Sequence, residues 1–254
     1  MQWDDPESLI YAALYCDDEG EVIGLEEVQL LDAPSETRVE ILLKTLSHED
    51  WEARKQAARV LAAWGFDAGL ETLEQLIDQR IDQHGVEVRH SIYGDNDVFD
   101  QLTEAVHLFQ MLGESPRREE DQRRIYSKLL ALYGECDFRS DLKNALARSG
   151  YTQLLPEVVA AIERALAADK VYLASQLLPV VARWSPAIAW DWTAKFWTEA
   201  RLVPSPMANV AEALGEIDTD ASREMLQSLS THVDTVVRDE AAHSWEKLHR
   251  TKPE

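Results

Sequence analysis

The sequence predicts an all-α protein, an α-solenoid of about six helical hairpins that form one continuous domain over residues 1–254. Three observations predict it. One stretch has strong helical periodicity, and a closely similar stretch recurs near the C-terminus. Glycines and Ser-Pro pairs divide the remainder into segments of helix length. Residues 1–37 are acidic and less regular, and we expect them to cap the start of the array.

The clearest helix is predicted within residues 48–65, HEDWEARKQAARVLAAWG. Its apolar residues recur at spacings of three and four, which places them on one helical face. They are Ala53, Ala57, Val60, Leu61 and Trp64. Asp50 can cap the start, and Gly65 suits the left-handed position just after the end. The preceding stretch, residues 35–47, predicts a partner helix with its own apolar stripe. That stripe is Val39, Leu42, Leu43 and Leu46.

The same pattern recurs over residues 229–245, LSTHVDTVVRDEAAHSW, with one extra residue in the turn. The equivalent pairs are Asp50 and Asp234, Arg54 and Arg238, Ala57 and Ala241, Ala58 and Ala242, and Leu61 and Trp245. Leu214 and Gly215 end a third helix of this kind. Such self-similarity is typical of a repeat array, in which small residues let neighbouring helices approach closely.

This pattern of an apolar helix, a turn with Asp, a small-residue helix with Arg and a closing Leu/Trp-Gly resembles the HEAT repeat family. The two clear copies are residues 35–65 and 220–249, about a quarter of the chain. In that family the Asp and Arg of the turn commonly form a ladder of bonds between adjacent repeats. The resemblance therefore implies a structural ladder at Asp50, Arg54, Asp234 and Arg238.

The chain is strongly acidic, with 47 Asp and Glu against 25 Lys and Arg and a formal net charge of −22. Residues 1–37 contain eleven acids and no Lys or Arg. Such a surface repels nucleic acid and attracts a basic protein. We therefore expect a basic protein partner and no direct nucleic-acid contact. The candidate partner-binding acids are Asp4, Asp5, Asp17, Asp18, Glu19 and Glu21.

The first residues, MQWDDPESLI, have acids where a secretory signal needs bases, and no apolar stretch follows them. No stretch of the chain has the length of uncharged apolar sequence that a membrane span requires. The two cysteines, Cys16 and Cys136, lie far apart and predict neither a disulfide framework nor a thiolate metal site. These features predict a cytoplasmic protein without membrane contact.

Residues 82–98, DQHGVEVRHSIYGDNDV, interrupt the helical pattern with a strand-like alternation and a turn. A long non-helical segment in a helical array is either functional or a simple variation. Its candidate binding residues are His90, Tyr93, Asp95 and Asp97.

A later segment, residues 185–202, carries Trp190, Trp192, Phe196 and Trp197. One interpretation is that all four pack between helices. The other is that Trp192 or Trp197 anchors a partner, because aromatic residues dominate binding hot spots.

The sequence lacks the common signatures of catalysis and cofactor binding. It has no H-E-x-x-H, C-x-x-C, G-x-G-x-x-G or Walker pattern, and its seven histidines share no ligand spacing. A single His-Glu pair, His48-Glu49, departs from the several pairs of the HEAT-like deoxyhypusine hydroxylases. The basic stretch PRREEDQRR is interleaved with acids, unlike the DNA-holding surface of a HEAT-like glycosylase. We expect no catalytic residues, no metal and no cofactor.

These observations predict a protein-binding module. In architecture and charge the chain is similar to acidic solenoid immunity proteins of the bacterial cytoplasm, which neutralise toxin domains. This likeness implies that the chain occludes the active surface of a basic toxin, such as a nuclease. Two alternatives stay open: a HEAT-like scaffold or adaptor that binds through the aromatic helix, and a HEAT-like enzyme that uses residues 83–97.

Overall fold

A computed structural model of the chain describes residues 2–31, 34–83, 97–111, 116–197 and 205–250. Within these ranges the protein is all-helical, and the only β pairings are two isolated bridges, Cys16 with Val22 and Tyr133 with Cys136. The all-α prediction is thereby confirmed. The chain forms two compact units, residues 1–128 and 129–254. The solenoid arrangement and the single continuous domain stay predictions.

The N-terminal unit begins with two short helices and continues with longer ones. Its helices are α1 (Leu9–Tyr15), α2 (Leu25–Gln29), α3 (Glu36–Thr45), α4 (Trp51–Ala63), α5 (Asp67–Asp78), α6 (Val98–Met111) and α7 (Pro116–Leu132). The boundary between the units falls within α7. Helix α4 is the centre of this unit, because α2, α3, α5 and α6 all pack against it. None of the described helices is both long enough and apolar enough to cross a membrane.

Helix α4 begins and ends where the sequence predicts. Oδ1 of Asp50 accepts hydrogen bonds from the backbone N–H groups of Glu52 at 2.8 Å and Ala53 at 3.4 Å. Gly65 follows the helix with φ of +83°, the left-handed conformation that favours glycine. Both end signals read from the sequence are therefore confirmed.

Burial around α4 goes beyond the single apolar face that the sequence predicts. Ala53, Ala57, Val60 and Leu61 of that face are fully buried. The opposite side is buried as well, including the charged residues Lys55 and Arg59. The stripe on α3 is narrower than predicted, since Leu42 is fully buried while Leu43 is 39% exposed. Helix α4 is buried on more than its predicted face because it has neighbours on four sides, whereas a helical period defines only one face.

Helices α4 and α5 approach each other closely at Gly69. A Cβ atom at this position would lie 2.5 Å from the backbone N of Ala62 and 2.8 Å from the backbone O of Ala58. Backbone atoms cannot rotate away as a side chain can, so a larger residue must push the helices apart. Ala58, one of the small residues predicted to allow close packing, lies in this contact.

We expect Gly69→Ala to destabilise the protein by about 1–3 kcal/mol, because overpacking against backbone outweighs the better helix propensity of alanine. Glu71→Ala is the matched control, since Glu71 lies in the same helix and is exposed. The measurement is the free energy of unfolding from urea titration. A Gly69→Ala protein as stable as the control would contradict this packing.

Helices α5 and α7 are joined by a network of ion pairs. Oε1 and Oε2 of Glu74 accept from Nε and Nη2 of Arg124 at 2.7 and 2.8 Å. Nζ of Lys128 lies 2.8 Å from Oε1 of Glu74 and also contacts Asp78. The hydrogen bonds from Arg124 lower the pKa of Glu74 to about 2. Arg124 therefore pairs with α5 as well as with Asp121 of its own helix, at 2.6 Å.

The Glu74 pairs predict a loss of stability in acid. Because the folded-state pKa of Glu74 lies near 2 and its ordinary value is 4.5, the unfolded state binds more protons between these values. The contribution is present above pH 4.5 and is lost as the pH falls toward 2. We expect Glu74→Gln to remove about 1–2 kcal/mol of this acid-dependent stability, after allowance for solvent screening. Urea titrations across this pH range check it, and Glu71→Gln should keep the wild-type slope.

The C-terminal unit contains eight described helices, several of which start or stop at predicted signals. They are α8 (Asp141–Ser149), α9 (Leu155–Ala167), α10 (Val171–Gln176), α11 (Leu178–Trp184), α12 (Pro186–Trp197), α13 (Met207–Leu214), α14 (Asp220–Leu229) and α15 (Thr235–Arg250). Pro186 begins α12 as predicted, and Gly150, with φ of +69°, follows α8. The buried centre of this unit includes α11 and α13, which pack on each other.

The two predicted repeat turns share one local structure. The backbone N–H of Asp50 donates to Nδ1 of His48 at 3.1 Å, and that of Asp234 donates to Nδ1 of His232 at 3.1 Å. Like Asp50, Asp234 accepts from the backbone N–H two residues later, at Val236, at 2.9 Å. The sequence similarity between these turns is thus also a structural similarity.

The helices that follow these turns differ in burial. Ala241 is buried like its counterpart Ala57, but Ala242 and Trp245 are exposed, whereas Ala58 and Leu61 are fully buried. Helix α15 packs against α13 and α14, while α4 is enclosed on more sides. Gly215 is not left-handed. It lies under Ser244, whose Cβ would be 2.7 Å from a Cβ added to the glycine.

The predicted ladder residues make their described contacts within single repeats. Asp50 and Asp234 cap their own helices. Nη1 of Arg238 donates to the carbonyl oxygens of His232 at 2.7 Å and Val233 at 3.0 Å, in the turn before its own helix. Nε of Arg54 is buried without a hydrogen-bond partner in the described residues. These contacts fix single turns, and the ladder between adjacent repeats that the family resemblance implies stays a prediction.

Candidate binding cleft of the N-terminal unit

Two of the predicted partner-binding acids shape the N-terminal backbone. Oδ1 of Asp17 accepts from the backbone N–H groups of Glu19 at 3.0 Å and Glu21 at 2.8 Å, which closes the loop between α1 and α2. Oδ1 of Asp5 accepts from the backbone N–H of Glu7 at 2.9 Å. Asp side chains stabilise turns in this way. Asp5 and Asp17 therefore have a local structural role.

Arg38, the first basic residue of the chain, fastens this acidic loop to α3. Its guanidinium donates to the carbonyl oxygen of Asp17 at 2.8 Å and lies 3.1 Å from Oδ1 of Asp18. Arg38 is buried, whereas the Asp18 side chain is 66% exposed. Glu19 and Glu21 are exposed and form no ion pair with described residues. The loop thus presents uncompensated carboxylates from a fixed backbone.

A cleft of about 650 Å³ lies in the same unit. Its walls come from the N-terminal segment, from α4 and its capping residue, and from the residues just before and within α6. Asp4 and Asp97 are the predicted partner-binding residues that line it. Asp97 precedes α6, where its Oδ1 accepts from Nε2 of Gln101 at 3.1 Å. The other candidates of that loop, His90, Tyr93 and Asp95, lie outside the described residues.

Lys55 is one of two buried cations in the cleft. Its Nζ lies 2.9 Å from Oε1 of Glu52 and donates to Oε1 of Gln101 at 3.0 Å. The same Nζ lies 5.3 Å from the ring centroid of Trp51. Burial lowers the pKa of Lys55 from its ordinary 10.5, and the nearby Glu52 opposes that effect.

Arg59, one helical turn further along α4, is the second buried cation, with only 3% of its side chain exposed. Nη1 donates to Oε1 of Gln56 at 2.9 Å, and Nη2 lies 3.5 Å from Glu104 and 3.7 Å from Glu26. Nε is buried without a partner in the described residues. Burial lowers the pKa of Arg59, and the two carboxylates oppose this. The guanidinium remains charged.

Carboxylates outnumber cations in the lining of the cleft. The lining carboxylates are Asp4, Glu26, Asp50, Glu52, Asp82 and Asp97, against Lys55 and Arg59. Asp82 is further compensated by Arg80, with two contacts of 2.9 Å. Aromatic side chains of Trp3, Tyr15 and Trp51 also line the cleft.

The aromatic helix α12 lies in the C-terminal unit. Phe196 is fully buried, whereas Trp190, Trp192 and Trp197 are only half-buried. The rings of Trp192 and Phe196 are 6.3 Å apart between centroids, and Nζ of Lys195 lies 4.7 Å from the Trp192 centroid. Phe196 therefore belongs to the core, and each tryptophan keeps some surface that a partner can contact.

Sequence patterns do not identify Lys55 and Arg59 as buried cations. Arg59 lies within AARVLAA, a run of small and apolar residues, and Lys55 lies four residues earlier on the same side of the helix. A charged residue inside such a run is the one signal of burial that the sequence offers. Among the described residues, no group of three or more His, Cys, Asp or Glu side chains could hold a metal ion.

Comparisons with known proteins do not indicate what this cleft binds. No protein-family model matches the chain, and no curated protein sequence matches it. An engineered protein, whose crystal structure was determined by the Northeast Structural Genomics Consortium, is similar with a TM-score of 0.49 and 20% sequence identity. The match covers 84% of this chain and 58% of that one, so the chain spans less than two thirds of that protein. A similarity of this size indicates neither a shared fold nor a shared function.

Arg38 provides a test of how the acidic loop is held. In Arg38→Met the loop loses both an ion pair and the donor to the Asp17 carbonyl, so we expect amide hydrogen exchange over residues 16–22 to become about 5-fold faster or more. Lys44→Met is the control, because Lys44 lies in the same helix with its side chain 80% exposed. Equal exchange in the two variants would mean that Arg38 does not hold the loop.

Proposed function

We propose that the chain is a protein-binding module and that its acidic N-terminal unit receives a basic partner. The observation that carries the proposal is the pair of exposed carboxylates, Glu19 and Glu21, which no described cation neutralises. They lie on a loop whose backbone Asp17 and Arg38 hold in place. A fixed cluster of like charge raises the association rate of an oppositely charged protein and repels nucleic acid.

We further propose that the partner is a toxin domain and that the chain is a cytoplasmic immunity protein. The formal net charge of −22 and the resemblance of residues 35–65 and 220–249 to HEAT repeats support this proposal. A nuclease is the kind of toxin that fits, because its phosphate-binding groove is basic and carboxylates can occupy it. Inhibition then follows from occlusion of that groove, and the chain needs no chemistry of its own.

A solenoid arrangement is part of the same proposal. The matched turns at His48–Asp50 and His232–Asp234 support a common hairpin, used at both ends of one array. Stacked hairpins offer an extended surface on which a globular partner can rest. The buried cores of the two units are consistent with such layers of helices.

A second candidate is an adaptor that binds through α12. The half-buried Trp192 and Trp197 favour it, because tryptophans with partly open faces are common binding anchors. The two candidates make opposite predictions. A toxin held by charge is lost when acids are reversed, whereas a partner held by α12 is lost when Trp192 is replaced by alanine.

The test compares two charge reversals of equal size. Wild-type chain on a support captures proteins from lysate of the native organism at low salt, and a salt gradient elutes them. We expect a basic protein whose nuclease activity one equivalent of free chain inhibits. With Glu19→Lys/Glu21→Lys its association rate should fall about 10-fold or more and depend less on salt.

The control is Glu163→Lys/Glu224→Lys, which makes the same charge change at exposed positions of the C-terminal unit. It should keep an association rate close to that of the wild type. An equal fall of the association rate in both variants would show that the rate depends only on the net charge of the chain. A partner retained by the loop variant and lost in Trp192→Ala would favour the adaptor.

A further inference from the structure

We infer that the cleft binds an uncharged amide carbonyl from a peptide segment of the partner, and that Arg59 and Lys55 donate hydrogen bonds to its oxygen. The inference rests on the proposed function, because a protein partner supplies the peptide. It gives the cleft a role of its own, separate from that of the exposed loop acids.

The guanidinium of Arg59 has more donors than acceptors around it. Of its five N–H donors, one makes a hydrogen bond to a described residue, from Nη1 to Oε1 of Gln56 at 2.9 Å. Nη2 lies 3.5 Å from Glu104 and 3.7 Å from Glu26, outside the usual N–H···O range of about 2.7–3.2 Å. Nε is buried without a partner in the described residues, and the side chain is only 3% exposed. An acceptor is therefore the group that this guanidinium lacks.

The ammonium group of Lys55 has a donor to spare as well. Its three N–H groups have two described oxygen acceptors, Oε1 of Glu52 at 2.9 Å and Oε1 of Gln101 at 3.0 Å. The ring of Trp51, with its centroid 5.3 Å from Nζ, is at most a weak acceptor. Burial lowers the pKa of Lys55, and the charge of Arg59 lowers it further, so the two cations lie near each other. One turn apart on α4, they present donors to the same cleft.

An uncharged acceptor suits these donors better than an ion does. Three carboxylates already contact the two cations, those of Glu52, Glu26 and Glu104. A further carboxylate or a phosphate would add negative charge beside them, in a chain whose formal net charge is −22. A cation would be repelled by Lys55 and Arg59 and could not accept from their donors. A carbonyl oxygen accepts hydrogen bonds and adds no charge.

The cleft has room for a peptide segment. Every protein partner carries carbonyl oxygens along its main chain. A volume of about 650 Å³ lies in the range of pockets that enclose small ligands. The half-buried rings of Trp51 and Tyr15 in its lining offer flat surfaces on which the apolar parts of a peptide can pack. Glu26 is 69% exposed and lies 3.7 Å from Arg59, so it can turn aside as the peptide enters.

The test uses three small peptides of similar size and different charge on the full chain. N-acetyl-dialanine amide is uncharged, N-acetyl-dialanine ends in a carboxylate, and dialanine amide begins with an ammonium group. Each is titrated in about 0.15 M salt, which screens nonspecific attraction, and binding is followed by two-dimensional NMR of the backbone amides. We expect the uncharged peptide to bind with a dissociation constant on the order of 1 mM, and each charged peptide about 5-fold more weakly or worse. The shifted amides should belong to cleft residues such as Leu25, Trp51 and Gln101.

A second NMR signal reports the hydrogen bond itself in the wild-type chain. The Nε–H group of Arg59 is assigned through its side-chain carbons. We expect its proton signal to move downfield as the uncharged peptide saturates the cleft, because the guanidinium gains an acceptor. This measurement needs no variant, so it applies even if replacement of the buried arginine impairs folding.

A conservative variant locates the site. Arg59→Lys keeps the positive charge but loses the planar set of donors, so we expect the uncharged peptide to bind about 5-fold to 10-fold more weakly. Arg117→Lys makes the same change in the same unit, at a side chain that is 73% exposed, and should bind as the wild type does. Erythritol, an uncharged polyol, distinguishes a hydroxyl ligand from an amide and should bind more weakly than the uncharged peptide.

Several outcomes would overturn the inference. They are no binding of the uncharged peptide at the cleft, equal or tighter binding of a charged peptide or erythritol, an unmoved Arg59 signal at saturation, and equal binding in the two variants. Failure of the proposed function is a separate result. If the Glu19/Glu21 reversal releases a basic partner while the uncharged peptide does not bind, the function stands and the inference fails. If the peptide binds in the Arg59-dependent way but no basic partner is captured, the carbonyl site stands and the function fails.

Discussion

The burial of α4 on nearly all sides is the constraint on which the N-terminal unit depends. This helix carries two full positive charges, Lys55 and Arg59, where apolar residues would ordinarily lie. Moving such charges out of water costs several kcal/mol each unless partners compensate them. The compensation comes from Glu52 and Gln56 on α4 itself, Glu26 on α2, and Gln101 and Glu104 on α6. Of the helices that pack against α4, α2 and α6 therefore each place polar groups near its cations.

The acidic N-terminal segment contributes to this compensation through Glu26, which lies against Arg59. Its acids divide into those that the fold uses and those that it leaves over. Asp5 and Asp17 hold turns, Asp18 pairs with Arg38, and Glu26 lies against Arg59. Glu19 and Glu21 remain exposed, on a loop that the others have fixed. A negative surface of this kind loses little conformational freedom when a partner binds, which is an advantage over a flexible acidic tail.

The sequence predicts local structure better than burial. The cap at Asp50, the left-handed Gly65 and the equivalence of the two His-Asp turns are all readable, because each depends on neighbouring residues. Periodicity identifies one buried face of a helix, but the number of neighbouring helices depends on contacts distant in sequence. Ala57 and Ala58 are thus both buried in α4, whereas of their counterparts in α15 Ala241 is buried and Ala242 is exposed. Leu43 is exposed although it belongs to an apolar stripe that looks uniform in the sequence.

The cleft could be predicted only in part for the same reason. Asp4 and Asp97 were identified from charge and from an interrupted pattern, and both line it. Charge and pattern do not identify Lys55, Arg59 and Glu26, because these residues meet only when the fold brings α2 and α6 onto α4. Most of the loop that made Asp97 a candidate lies outside the described residues.

The most direct test of this account is the pKa of Lys55, measured by NMR titration of lysine side-chain signals, with the Lys55 signal assigned by its loss in Lys55→Met. If the ammonium is buried among the groups described, it will lose its proton at a lower pH than the other lysines and below its ordinary 10.5. A pKa at or above that value would mean that Lys55 lies in water or that its ion pair dominates. Either finding would contradict a cleft organised around desolvated cations.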